Sequence, residues 1–119
     1  MGARSGRDAE VVVAMTTVRN MEQARALAGS LVESRLAACV SLLPEVRSLY
    51  RWKGDLVEDP EIILWIKTRW PLVPKLKEAI RQHHPYEVPE LLILPVQDGL
   101  PEYLSWIRQS TEDADTEVQ

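Results

Sequence analysis

Two long strand-forming runs, one from Ala38 through Trp52 and one ending near Arg69, meet at a turn over Lys53-Gly54-Asp55. A glycine turn between two such runs predicts one continuous hairpin. Each arm has about 15 residues and would reach roughly 50 Å at ~3.3 Å per residue, whereas a domain of this length has a radius of gyration near ~14 Å. The ribbon must therefore overhang its own domain. An isolated two-stranded ribbon is marginal in water and leaves backbone edges unpaired, so its tip is expected to pair with or pack on another subunit. This alone predicts a homo-oligomer. Pro44 is the only break in the first arm; lacking an N–H, it should mark a bulge or an edge position.

Alternation assigns the hairpin faces. Val46, Ser48, Tyr50 and Trp52 share one side of the first arm, with Glu45, Arg47, Leu49, Arg51 and Lys53 on the other. With the turn centred on Gly54-Asp55, the odd-numbered residues of the second arm join the first set, which places Tyr50 and Trp52 with Glu61, Trp65 and Lys67. A one-residue slip would reverse this.

The remaining elements follow from periodicity. Val11 through Val18 is a β-branched, nearly uncharged run, as expected of a strand buried on both faces. Asn20 followed by Gln23 resembles a capping box, and Met21, Ala24, Leu27, Ala28, Leu31 and Val32 predict a helix to about Arg35. Trp70-Pro71 opens a second helix with Leu72, Leu76, Ala79 and Ile80 as its apolar stripe, ending before Pro85. Leu91–Val96 reads as a short strand and Leu100–Ser110 as a closing helix. The order β-α-β-β-α-β plus a C-terminal helix is the α+β, ferredoxin-like sandwich, here with a long central hairpin.

A chain of 119 residues fits one domain, assigned to residues 10–110, with 1–9 and 111–119 read as disordered tails. Glu112, Asp113, Asp115 and Glu117 account for the whole formal net charge of −4, so the body is near neutral and has no basic face for nucleic acid. Apolar runs such as Ile62 to Ile66 are far shorter than the ~20 residues of a membrane-spanning helix, and no secretory cleavage pattern is seen; a soluble, cytoplasmic protein is expected. Cys39 is the only cysteine, which excludes an internal disulfide.

Chemistry concentrates in His83-His84-Pro85-Tyr86-Glu87-Val88-Pro89-Glu90, which places both histidines and two carboxylates in one loop stiffened by two prolines. Cys39 and His84 are the sensible pair for copper or zinc, since thiolate sulfur and imidazole nitrogen are the ligands those ions prefer. Two ligands do not close a site, so Glu87, Glu90, Glu61, water or a neighbouring subunit must supply the rest. Cys39 lies in the apolar run Ala37 to Val40, which favours core or pocket wall over a metal ligand. His83, ending a helix, complements its dipole. Lys67 and Glu61 read as a cross-strand pair or, facing one cavity, as groups that orient a polar ligand.

Several motifs together resemble the CutA divalent-cation tolerance proteins over about Val11 to Ile107: Arg35-Leu36-Ala37-Ala38-Cys39-Val40, Tyr50-Arg51-Trp52-Lys53-Gly54, Glu61 with Ile66-Lys67-Thr68, His84 through Glu90, and Gly99 with Tyr103-Leu104-Ser105-Trp106-Ile107. The resemblance implies a homotrimer of PII-like architecture, a polar pocket near subunit boundaries and a link to copper and other divalent metals. The candidate metal residues are Cys39, His84 and Glu87, and the candidate pocket residues are Tyr50, Trp52, Glu61, Lys67, Tyr86, Glu90, Tyr103 and Trp106. One departure stands out: the family commonly has asparagine where this chain has Ser41. Three function classes follow: a metal-tolerance protein that holds copper or another divalent ion weakly; a PII-like small-molecule sensor or interaction scaffold; and, ranked last, an enzyme with His84 as general base. No organic cofactor is expected, since no phosphate loop or cofactor fingerprint occurs.

Overall fold

The computed structural model describes residues 10–112. β1 (Val11–Val18), α1 (Met21–Glu33), β2 (Cys39–Trp52), β3 (Asp55–Arg69), a 3₁₀ turn at Trp70–Leu72, α2 (Val73–His83), β4 (Leu92–Pro95) and α3 (Pro101–Ser110) follow in chain order. The sheet is antiparallel in the order β2-β3-β1-β4, the ferredoxin-like arrangement. Among the described residues, no helix is long and apolar enough to cross a membrane.

Local chemistry explains the element ends. Asn20 Oδ1 accepts the Gln23 N–H at 2.8 Å, and the Gln23 side chain takes the Arg19 N–H at 3.1 Å, so the start of α1 is capped from both directions. The helix stops two residues before the expected Arg35. Arg35 has φ 64°, and the Leu36 N–H to Leu31 and Arg35 N–H to Val32 bonds close a Schellman motif there. At the hairpin tip Lys53 (φ 51°) and Gly54 (φ 89°) both take left-handed backbone between the pair Trp52 and Asp55, a two-residue turn whose twist matches its strands.

Even-numbered β3 residues Ile62, Leu64 and Ile66 join Ala14 and Val18 of β1 against Leu27 and Leu31 of α1 and Leu76 and Ile80 of α2. The opposite sheet face carries Ile63, Trp65 and Lys67, and α3 packs only against its far end, where buried Arg69 donates to Thr111 Oγ1 at 2.7 Å and to the Thr111 carbonyl at 3.0 Å. β1 is buried at every even-numbered position, and on its other face Val11 and Thr17 are also buried, so the expected two-sided burial fails only in the middle of the strand. Val13 and Met15, on the uncovered face, are half-buried. The ordered body also runs past the expected boundary at 110, because Thr111 is fully buried. The expectation for residues 1–9 and 113–119 lies outside the described residues.

The β1 pairing ends at Val18–Ile62, whereas the β2–β3 ladder continues to Trp52–Asp55. Residues 55–61 therefore pair only with β2, and the molecule measures 51 Å along its longest axis with a radius of gyration of 15.4 Å. Register shifts between Leu43 and Val46, and Glu45 takes φ 65°. Pro44 thus sits in a bulge on the edge strand, where a missing N–H costs no ladder bond. Below the bulge Val46 pairs with Glu61 and Tyr50 with Val57; above it Ser41 pairs with Trp65 and Cys39 with Lys67. Tyr50 and Glu61 therefore share one face.

Candidate functional site

Where the ribbon leaves the sheet, the 84–90 loop stands against it, and the angle between them is a groove of about 700 Å³. The loop is fixed by His84. Pro85 excludes helical backbone at the residue before it, so His84 turns extended (φ −75°, ψ 137°) while its N–H still caps Ile80 at 2.9 Å. Its ring Nε2 donates to the Thr17 carbonyl at 2.8 Å and its Nδ1 accepts the Tyr86 N–H at 3.1 Å. Both nitrogens are occupied, and the ring meets Tyr86 edge-on with centroids 4.8 Å apart. Burial lowers the imidazole's pKa below its ordinary 6.5, against the pull of the Thr17 carbonyl and the Glu61 charge.

Glu61 is the polar centre of the groove. It is only 8% exposed, with Oε1 accepting Ser48 Oγ at 2.7 Å and Oε2 accepting the Tyr86 hydroxyl at 2.7 Å. Tyr86 is pushed up to about 12, first by burial and then by this bond to a carboxylate, so it remains a donor. Glu90 is also shifted upward, by burial and by the Glu61 charge, while a bond from Thr17 opposes. Arg19 enters from the end of β1. Its guanidinium lies 5.6 Å from the Tyr86 ring centroid and 3.6 Å from Asp59 Oδ2, which accepts the Tyr50 hydroxyl at 2.5 Å. Trp52, Glu87 and Val88 complete the rim.

Sequence expectation and geometry divide here. Tyr50, Trp52, Glu61, Tyr86, Glu87 and Glu90 converge on the groove. Cys39, Lys67, Tyr103 and Trp106 form a second cluster: Lys67 Nζ is 3.7 Å from Cys39 Sγ and 6.0 Å from the Tyr103 ring, which stacks on Trp106 at 5.6 Å. Glu61 and Lys67 lie six residues apart on the same strand, roughly 20 Å at ~3.3 Å per residue, so they are not a cross-strand pair. Cys39 and His84 are likewise at opposite ends of the sheet, since Cys39 pairs with Lys67 while His84 is bonded at Thr17, the partner of Ile63. Among the described residues, no three His, Cys, Asp or Glu side chains converge to hold a metal. Ser41 lies opposite Trp65 on the uncovered face, outside the groove.

Arg19, Ser48 and Asp59 were missed. Ser48 and Asp59 were within reach of the sequence, because they pair with each other on the face that carries Tyr50 and Glu61. Arg19 follows the first strand with no pattern to single it out.

Residues 12–110 match the family model described as CutA1 divalent ion tolerance protein. The chain belongs to that family. A CutA divalent-cation tolerance protein from Thermus thermophilus is 50% identical over 99 residues, covering 83% of this chain and 96% of the relative. Protein CutA from Mus musculus is 49% identical over 102 residues, covering 86% of this chain but 58% of the mouse protein, so the chain spans little more than half of that relative. Among solved structures, CutA1 from Oryza sativa superposes with a TM-score of 0.84 at 41% identity, covering 86% of this chain and 94% of the rice chain. The CutA1 motifs are thus spread over one intact fold, with the 84–90 motif against the hairpin and the Tyr103–Trp106 motif at the far end of the sheet.

Proposed function

We propose that the chain serves divalent-cation tolerance as a homotrimeric binding protein rather than an enzyme, and that the groove beneath the hairpin takes a small polar ligand whose occupancy the ribbon transmits. One observation carries this reading. Four separate segments deliver Arg19, Ser48, Glu61 and Tyr86 to a single cavity, and Glu61 is held there in advance by two hydroxyl donors. Preorganised polar groups in a concave site are what a small ligand requires. The uncovered sheet face, which carries Trp65 with Leu43 and Leu94 exposed on its two edge strands, supports assembly into the trimer that the family resemblance implies.

The donors do not fit copper held by Cys39 and His84 within one chain. Each imidazole nitrogen is already engaged, and the thiol stands at the other end of the sheet. General-base work by His84 meets the same obstacle. A second reading, weak metal binding at a subunit seam, draws on Cys39, whose half-buried thiol lies on the uncovered face. Calorimetry with copper and zinc separates the two. The groove reading expects Cys39→Ser and His84→Ala to leave metal affinity unchanged while small polar ligands raise the melting temperature of the intact trimer. Metal affinity lost in both variants would overturn it.

A further inference from the structure

We infer that the groove's ligand is a small organic cation, an ammonium or guanidinium compound, and that Arg19 is the built-in occupant it displaces. This rests on the reading of the groove as the ligand site and adds the chemistry of what enters. Glu61, Glu87 and Glu90 line the cavity against the single guanidinium of Arg19. Glu61 is buried, and both of its bonds come from neutral hydroxyls, which orient the carboxylate without neutralising it. An anion entering here would meet three carboxylates. Tyr50, Trp52 and Tyr86 supply aromatic faces beside that charge, the combination that favours a cation with an organic body.

Arg19 already shows the preference. Its guanidinium lies 5.6 Å from the Tyr86 ring centroid and 3.6 Å from Asp59, yet its side chain is 56% exposed. An exposed ion pair and an exposed cation–π contact are each worth about 1 kcal/mol or less, so a better-placed cation can replace it. A bare magnesium or calcium ion fits poorly, because it takes six or more oxygens and, among the described residues, no three acidic, His or Cys side chains converge to supply them.

The test is calorimetry on the full chain at neutral pH with agmatine and butylammonium, beside butanol, acetate and magnesium ion as probes of other charge. The two organic cations should bind and the other three should not. Glu61→Gln should weaken agmatine binding about tenfold, and Glu90→Gln, which leaves the Ser48 and Tyr86 bonds to Glu61 in place, should weaken it less. Arg19→Gln should tighten it about threefold relative to Lys77→Gln, an exposed control on α2 that removes the same charge elsewhere. A merely structural Arg19 would produce weakening instead, and that result overturns the displacement. Acetate, butanol or magnesium binding more tightly than agmatine, with Glu61 dependence, would overturn the cation and leave the groove standing. No binding by any probe would overturn both.

Discussion

Tyr86 reaches from its loop to donate its hydroxyl to Glu61 Oε2 at 2.7 Å, and this one bond ties the 84–90 segment to the base of the overhanging ribbon. Removing the hydroxyl by Tyr86→Phe keeps the ring and deletes a donor to a buried carboxylate. The expected loss is about 1.5–3 kcal/mol, the usual range for hydrogen bonds to charged groups. Denaturant unfolding of the assembled protein measures it; a change under about 0.5 kcal/mol, the range of an ordinary surface substitution, would show that the bond does not hold the loop.

His84 makes stability depend on pH with a definite sign. Its folded pKa is depressed below 6.5 by burial, so below pH 6.5 the unfolded chain takes up a proton that the folded ring resists. The stability that His84 contributes is fully present above pH 6.5 and is lost as the pH falls through the folded value. Protonation would also place a hydrogen on Nδ1, where the Tyr86 N–H is received. Glu90, shifted upward, acts in the opposite sense at lower pH, so the comparison must be between wild type and His84→Gln. Their stability difference should narrow on acidification below pH 6.5; a difference constant from pH 7.5 to 5 would refute the assignment.

Thr111 bears on the far end of the sheet. Its hydroxyl accepts the Arg69 Nε–H at 2.7 Å and bonds the Ile107 carbonyl at 2.9 Å, with both residues buried. Thr111→Val preserves the shape and withdraws one of the acceptors that Arg69 uses, at an expected cost of about 1–3 kcal/mol. Calorimetric melting reads it, and Thr111→Ser, which keeps the hydroxyl, should recover most of the loss.

The hairpin, its Pro44 bulge and the shared face of Tyr50 and Glu61 were legible because strand period is two and the turn carries its own glycine. The partial exposure of Val13 and Met15 on β1 was not, since a β-branched run reads the same whether a helix, a partner or nothing covers its second side. His84 shows the same limit at the site. Its loop and proline neighbours marked it, but whether a ring nitrogen is free depends on Thr17, which lies 67 residues away in sequence. Cys39 and His84 looked like a pair by ligand type alone, and the register at Lys67 and Ile63 sets them apart.

That same register defines the strongest test of assembly. Ile63 and Trp65 point away from α1 and α2, with the exposed Leu43 beside Ile63 on β2 and the exposed Leu94 on the same face across β1. Light scattering should report about three times the 13.5 kDa chain mass for the wild type. Trp65→Arg adds a charge that another subunit would have to bury unpaired, whereas within one chain the side chain is only half-buried and the core beneath α1 and α2 is untouched. The expected outcome is a folded protein by circular dichroism with a mass near 13.5 kDa. A wild type that already runs at that mass would remove the reason for the overhanging ribbon, while a variant that stays trimeric would mean that subunits meet through the hairpin tips and not through this face.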